Sequence, residues 1–395
     1  MPPPMNILHI ITDLDPSGGG PPLVASRLAA AQAALGHGVR VLCYASPAAA
    51  ERARGDLARL PGGAGVEVRT LAPGGRGERL TTRRARAAVA EMLGWFDVAH
   101  LHGAWEPILR GASVVARRHG SPYVVAPHGM LDPWALRQKA LKKRAAMALG
   151  YGSMIRGAAF LHAMSGYEAA CLRDGRFDPR VEVIPCGVFP EEFEPRPGRG
   201  AVDARHPQLG GAPYILFLAR LHPVKGLDLL AAAFAEVQRR FPDVHVVVAG
   251  PDFGAGPTLR EQVAALGIGS RFHLVGAVHG PDKAALFAHA ALFTLPSEHE
   301  SFGMSIAEAM ACGLPVVISE ECHFPDVASA GAGIIVKRTA ADLARGLASV
   351  LADPARARGM GDAGRRLIAE KYTWPRVAAR SVQAYEAAGV GGRTR

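Results

Sequence analysis

Residues 6–44, NILHIITDLDPSGGGPPLVASRLAAAQAALGHGVRVLCY, read as a strand, a tight loop, a helix and a second strand. Asn6 to Thr12 is a short apolar run that ends in a turn-rich stretch, Asp13-Leu-Asp-Pro-Ser-Gly-Gly-Gly20, the pattern of a buried strand. Pro21 and Pro22 suit a helix's first turn, where a missing N–H removes no hydrogen bond, and the helical pattern continues from Leu23 to Leu35. Gly36-His-Gly38 then turns the chain into a strand from Val39 to Tyr44. Strand, helix, strand in this order is a βαβ unit. Asp13-Leu-Asp15 spells a carboxylate pair of the kind that can hold a metal, but its place between a first strand and a glycine loop reads as a turn. No metal and no cofactor is expected.

The same alternation continues outward. Val98–Leu101, Tyr123–Ala126, Phe160–Met164 and Val181–Ile184 are short apolar runs separated by helical stretches, as a parallel sheet requires. From Pro185 to Pro213 the chain is rich in proline and glycine and loses its periodicity, which marks a domain boundary. A second series begins at Tyr214–Ala219, with helix Leu227–Phe241, strand His245–Ala249, helix Leu259–Leu266 and strand Phe272–Val275. Helix Asp282–Ala290, strand Leu292–Leu295, helix Ile306–Cys312, strand Pro315–Ser319 and two C-terminal helices complete it. The expected architecture is α/β, with one doubly wound domain over 1–190 and another over 191–375. A final helix at about 376–390 is expected to pack back on the first. In such sheets, ligands lie beyond the carboxyl ends of the strands, so the βα loops are where chemistry is sought.

Composition narrows the classes. A chain of 395 residues that is 49% apolar and 20% charged can bury two cores. No run approaches the ~20 apolar residues of a membrane span, and the N-terminus lacks a signal-peptide pattern. The five cysteines are scattered without a CxxC pair, which fits reduced thiols in the cytoplasm and argues against a zinc or disulfide framework. Charge is uneven: residues 1–190 hold 23 Lys+Arg against 14 Asp+Glu, which is +9 of the chain's net +10. Residues 133–157 contain Arg137, Lys139, Lys142, Lys143, Arg144 and Arg156, interleaved with Trp134, Leu136, Leu141, Met147 and Leu149, with no acidic residue. A basic helix bearing Trp and Leu fits the anionic face of a membrane, so a peripheral position there is expected. Nucleic acid is not expected as a partner, because no recognition module accompanies the charge.

Two loops carry the chemistry. Ala219-Arg220-Leu-His-Pro-Val-Lys225-Gly226 follows a strand and sets a guanidinium and an ammonium five residues apart, with Pro223 stiffening the turn. Arginine forks onto phosphate oxygens and lysine adds a mobile point charge. Glu298-His-Glu300-Ser-Phe-Gly-Met-Ser305-Ile-Ala-Glu308 places two carboxylates either side of a small-residue loop that opens a helix. N–H groups at a helix start bind anions, and Gly303 permits a close approach. Glu300 lies in the loop and Glu308 about a turn inside the helix, so their tasks differ: Glu300 toward a sugar's hydroxyls, Glu308 toward a ribose's.

At this point the sequence resembles a known family. LARLHPVKGLD (218–228), VVVAGP (246–251) and LPSEHESFGMSIAEAMACGLPVV (295–317) are similar to the pattern of glycosyltransferase family 4, also called group 1. Its members have the GT-B fold, two Rossmann-like domains facing across a cleft, and transfer sugars with retention of anomeric configuration. Gly18-Gly19-Gly20, PHGMLDPWALRQKALKKR (127–144) and VIPCGV (183–188) resemble members that build surface polysaccharides. The resemblance implies that Arg220 and Lys225 neutralise the diphosphate of a nucleotide-sugar donor and that Glu308 binds the ribose. Glu300, Ser301, Phe302, Gly303 and Met304 would face the donor sugar and phosphate, and His128 would line the sugar pocket. Gly19 and Gly20 would approach the donor, and Gly276 and Val278 would lie near the base.

His102 and Glu106, after a strand, are placed at the acceptor, a glycan or lipid-linked sugar. Pro21 stands where many relatives carry an acidic residue, and Cys186 where the family has asparagine. A nicotinamide-dependent oxidoreductase expects G-x-G-x-x-G after the first strand, which Gly18-Gly19-Gly20 does not provide. A basic nucleic-acid-binding protein is the other alternative, and it rests on charge alone.

Overall fold

A computed structural model describes residues 3–15, 19–175, 177 and 179–390; Gly18 of the glycine loop lies outside them. The chain divides into two units, Met1–Cys186 with Trp374–Arg395, and Gly187–Thr373. In each, short runs of β-branched and apolar residues form parallel strands buried on both faces, the pattern that βαβ crossovers produce.

The first unit holds seven strands: β1 (Asn6–Ile10), β2 (Gly38–Tyr44), β3 (Val66–Leu71), β4 (Val98–His102), β5 (Tyr123–Ala126), β6 (Leu161–Ala163) and β7 (Val181–Val183). Their order across the sheet is β3-β2-β1-β4-β5-β6-β7. The order reverses direction beside β1, so β1 and β4 flank the crevice where such sheets take ligands. Leu8, Ile10, Ala99 and Leu101 pack on one face with the helices Arg83–Glu91 and Pro107–Arg118. The helix Gly20–Ala34 supplies Ala25, Ala29 and Ala30 to a core with Ile11, Val39, Val41 and Cys43. The last helix, Trp374–Ala387, belongs to this unit and reaches the Gly20–Ala34 helix, where Gln32 Nε2 donates to Ser381 Oγ (2.8 Å) and Tyr385 Oη (3.2 Å).

The second unit has six strands: β8 (Tyr214–Leu218), β9 (His245–Ala249), β10 (Phe272–Gly276), β11 (Leu292–Leu295), β12 (Val316–Ser319) and β13 (Gly333–Val336). Their order is β10-β9-β8-β11-β12-β13, so the reversal falls between β8 and β11. Ile215 pairs with Leu292 and Leu216 with Phe293, which brings the carboxyl ends of these strands side by side.

Three features differ from the sequence reading. Strands β3 and β13, both at sheet edges, were not anticipated. Half of β3, VEVRTL, is polar because Glu67 and Arg69 face solvent, and β13 is only four residues long. Three helices close the chain rather than two: Ala340–Leu351, Pro354–Lys371 and Trp374–Ala387. The proline-rich stretch contains a short helix, Arg199–Arg205.

Candidate functional site

The loops that leave β8 and β11 are tied to each other at three points. Gly226 has φ +68°, and a Cβ there would lie 2.0 Å from the Pro296 carbonyl oxygen, so only glycine fits. The Glu298 N–H donates to the Val224 carbonyl (2.7 Å), and Lys225 Nζ donates to Glu300 Oε1 (2.5 Å). Within the β11 loop itself, Ser297 Oγ donates to the same carboxylate oxygen (2.7 Å). His222 Nδ1 accepts from the Val224 N–H and caps the single turn Pro223–Lys225, which aims the lysine. Both partners of the ion pair are largely shielded from water, so it is stronger than a surface pair.

Arg220 is arranged differently. Its guanidinium is exposed and lies 5.2 Å from the centre of the Phe253 ring, and no carboxylate among the described residues is within ion-pair distance. An uncompensated guanidinium over an aromatic face keeps its N–H fork for a ligand. Lys225 and Glu300, assigned separate tasks from sequence, are partners here.

The helix Met304–Ala311 starts at Gly303, whose φ of +75° lets the chain turn into it directly. Phe302 is buried against Phe324 and Tyr372 (ring centroids 5.1 and 5.8 Å), which anchors the loop before the helix. The free N–H groups of the first turn therefore open beside the Lys225–Glu300 pair. Inside the helix, Glu308 is buried and held by Lys283 Nζ (2.7 Å), from the neighbouring helix Gly280–His289. Gly276 ends β10 at φ +79° with open space where a side chain would go, and Val278 is buried just beyond. Lys283, Ser297 and Phe253 were not singled out from sequence. A lone lysine four residues into a helix carries no local signal.

In the first unit, Gly19 (φ +98°) precedes the Gly20–Ala34 helix, and nothing stands within 4 Å of a Cβ at Gly20. Asp13 Oδ1 accepts from the Asp15 N–H (3.2 Å), the local bond of a turn. His128 follows β5 in the left-handed region (φ +55°), a conformation costly for a residue with a Cβ. Buried Glu168 straps the turn in place, accepting from the N–H groups of Gly129 (2.6 Å) and Met164 (2.8 Å).

His128 is one of five buried imidazoles that form a linked cluster. His9 on β1, His100 and His102 on β4, and His162 on β6 complete the set. His9 Nδ1 meets His102 Nε2 (2.8 Å), and His102 Nδ1 meets His128 Nε2 (3.1 Å). His100 Nε2 meets His162 Nδ1 at 3.2 Å. His102, placed at the acceptor from sequence, is buried here, and both its ring nitrogens are taken by His9 and His128. Glu106 keeps partial exposure; burial pushes its carboxyl above the usual range, while the Trp105 N–H donates to its Oε2 (2.9 Å) and pulls the other way. His9, His100 and His102 bring nitrogens within 4.8 Å of one another, but their rings stack at 16–25°. In this arrangement their nitrogens are hydrogen-bonded to one another and to Gln32, His128, His162 and Tyr385.

Sequence comparison agrees with this geometry. The profile of "Glycosyl transferases group 1" matches residues 201–367, and that of "Glycosyl transferase 4-like domain" matches 19–187. A D-inositol 3-phosphate glycosyltransferase of Segniliparus rotundus is 36% identical over 54% of this chain, a match that spans only about half (49%) of that relative's length. The GDP-mannose-dependent alpha-(1-6)-phosphatidylinositol monomannoside mannosyltransferase of Mycolicibacterium smegmatis is 30% identical over 66% of this chain and 69% of its own. Among solved structures, Anabaena Alr3699/HepE in complex with UDP and glucose superposes with TM-score 0.77 at 20% identity, covering 97% of this chain and 100% of that one. The fold is that of the two-domain GT-B transferases. The chain belongs to the group 1 glycosyltransferases, and it is a sugar-transferring enzyme.

The histidine layer makes stability depend on pH. Burial lowers His9 and His162 to about 4 and His128 to about 3, against an ordinary value near 6.5. The unfolded chain therefore binds more protons than the folded one as pH falls below about 6.5, and stability is lost on the way down toward the folded values. At pH 5 this is about 2 kcal/mol per such histidine, from the 1.5 units between that pH and the unfolded value. Denaturant melts at pH 7.5 and pH 5 should differ by several kcal/mol, with the neutral protein the more stable. Equal stability at both would mean that the imidazoles are not held neutral.

Proposed function

We propose that this enzyme moves a hexose from a nucleoside-diphosphate donor to a glycan or lipid-linked acceptor, with retention of configuration, in polysaccharide or lipid-glycan synthesis. The observation that carries the reading is the free guanidinium of Arg220 beside the loops locked by Lys225–Glu300 and the start of the Met304–Ala311 helix. These groups supply positive potential at the carboxyl ends of β8 and β11, where a departing diphosphate gains charge. A diphosphate entering there competes with Glu300 for Lys225 and releases the carboxylate toward the sugar. Glu308, already polarised by Lys283, accepts from ribose hydroxyls. Transfer breaks the bond from the anomeric carbon to the phosphate oxygen as the acceptor oxygen bonds on the same face. The acceptor proton passes to the leaving phosphate. Glu106, partly exposed and with its carboxyl raised by burial, is placed on the acceptor side. UDP and glucose in the HepE structure, and GDP-mannose in the mycobacterial relative's name, define the donors to try first.

Arg220→Ala and Lys225→Ala should each lower turnover by roughly 10²–10³, the loss typical of one transition-state donor. Hydrolysis of UDP-glucose and GDP-mannose, with and without EDTA, measures this. Activity should survive EDTA, since no residue of the site is assigned to a metal. Near-normal turnover in both variants would remove them from the diphosphate site.

We also place the acceptor side at an anionic membrane surface, through 133–157. No helix among the described residues is long and apolar enough to cross a membrane, so contact would be peripheral. Leu141 is 81% and Leu149 70% exposed, and Arg110 donates to the carbonyls of Leu80 (2.6 Å) and Leu149 (3.3 Å), gathering a third exposed leucine beside them. The residues chosen for the test are those whose charges are exposed. Trp134 is half-buried, and Lys143 is turned inward, donating to the Ala135 carbonyl (2.6 Å). Reversing Lys139, Lys142 and Arg144 to glutamate should therefore abolish co-sedimentation with phosphatidylglycerol vesicles and leave donor hydrolysis intact, since each charge contributes about 1 kcal/mol. Wild-type protein that stays in the supernatant at low salt would contradict the membrane reading.

A further inference from the structure

Apart from His128, the five linked histidines have no part in the transfer chemistry above, yet their protons can be placed one by one. Two backbone carbonyls, which can only accept, set the directions. His162 Nε2 lies 2.6 Å from the Ile184 carbonyl and so carries a proton. In a neutral ring, His162 Nδ1 is then bare and accepts from His100 Nε2–H. His100 Nδ1 is bare in turn, so the Tyr385 hydroxyl, 2.7 Å away, donates to it. At the second carbonyl, Ser381 Oγ donates to Ala378 (2.7 Å). Both hydroxyl oxygens that face Gln32 have thus spent their protons, and each can only accept. The Gln32 amide must point its NH2 at them, at 2.8 and 3.2 Å.

This orientation puts Gln32 Oε1 2.6 Å from His9 Nε2, which must therefore be protonated. His9 Nδ1 is bare and accepts from His102 Nε2–H; His102 Nδ1 is bare and accepts from His128 Nε2–H. His128 Nδ1 ends the series. Its neighbour at 3.3 Å is the Met164 thioether, which has no proton to give, and the Cys186 thiol nearby is directed at that same sulfur (3.5 Å). Of the ten ring nitrogens, His128 Nδ1 alone meets neither an oxygen nor a nitrogen among the described residues.

We propose that Gln32 is a positioning residue: clamped by the C-terminal helix, it fixes His128 as the Nε2–H tautomer and leaves Nδ1 as an acceptor for a hydroxyl of the donor sugar. The sugar half of this rests on the assignment of His128 to the donor pocket made above; the tautomer half does not. A ring held this way cannot donate to the sugar, so it selects a hydroxyl at the facing position over any group that only accepts. The low basicity that burial gives these rings keeps the arrangement intact at neutral pH.

The test uses the intact protein labelled with 15N-histidine at pH 7, His128 being assigned by its loss in His128→Asn. Wild type should show His128 with a protonated Nε2 and a bare Nδ1. Gln32→Glu should keep that form, because either protonation state of the new carboxyl presents an acceptor to His9. Gln32→Leu should release it into a mixture of tautomers. So should Ser381→Ala combined with Tyr385→Phe, which keeps Gln32 but lets its amide turn and covers the case in which the leucine variant does not fold. His128 protonated on Nδ1 in wild type overturns the proposal without any variant, as does a pure Nε2–H form that persists in both released variants. Hydrolysis of monodeoxyfluoro analogues of UDP-glucose and GDP-mannose reads the sugar half. One fluorinated position should cost wild type about five- to tenfold in kcat/KM, the contribution of one neutral hydrogen bond, and less in Gln32→Leu. If the tautomer is as stated and every analogue is processed like its parent, the placement of His128 at the sugar is overturned while Gln32 keeps its tautomer-setting role.

Discussion

The second unit's site depends on how tightly two loops are held at the reversal of the sheet. Parallel strands β8 and β11 lie side by side but are far apart in sequence, so nothing local fixes the loops that leave them. The contact of Gly226 with the Pro296 carbonyl removes the freedom to separate, and Glu298 N–H to Val224 closes the same seam. Only after that are Lys225 and Glu300 close enough to pair. An alanine at 226 would collide with backbone, which cannot give way, and the charge constellation would be lost with the seam.

The first unit solves a different problem at its own reversal, between β1 and β4. Imidazoles replace aliphatic side chains on one face of the buried central strands, a placement tolerated only when polar atoms are paired. Pairing is achieved by one proton per ring, donated in a fixed direction toward the Gln32 amide oxygen on one side and the Ile184 carbonyl on the other. The C-terminal helix Trp374–Ala387 is part of this arrangement, since Ser381 and Tyr385 hold the Gln32 amide. The strained His128 backbone sits at the end of the series, where local conformational cost is supported by Glu168 and the ring contacts together.

Much of the fold was legible because parallel strands buried on both faces leave short continuous apolar runs, as at Tyr123–Ala126, His245–Ala249 and Leu292–Leu295. The edge strands were not, because an edge strand has a solvated side: Val66–Leu71 alternates with Glu67 and Arg69 and looks like surface chain. In the candidate site, the charges were legible while their partners were not. Arg220, Lys225, Glu300 and Glu308 stand in motifs, but Lys283 reaches Glu308 from another helix and Phe253 reaches Arg220 from the loop after β9. Pairings of this kind are set by tertiary proximity. The histidines were visible one at a time, and His102 was placed at the acceptor because it stands where a strand's apolar run ends. The relation between them appears only when β1, β4 and β6 are aligned.

The central claim is that the donor's diphosphate binds where β8 and β11 end. A crystal structure of the protein soaked with UDP or GDP tests it most directly. The account predicts the diphosphate against the Arg220 guanidinium and the N–H groups that open the Met304–Ala311 helix, with Lys225 Nζ moved from Glu300 onto a phosphate oxygen and Glu308 on the ribose. A diphosphate seated elsewhere, with the Lys225–Glu300 pair intact and Arg220 still on Phe253, would contradict it.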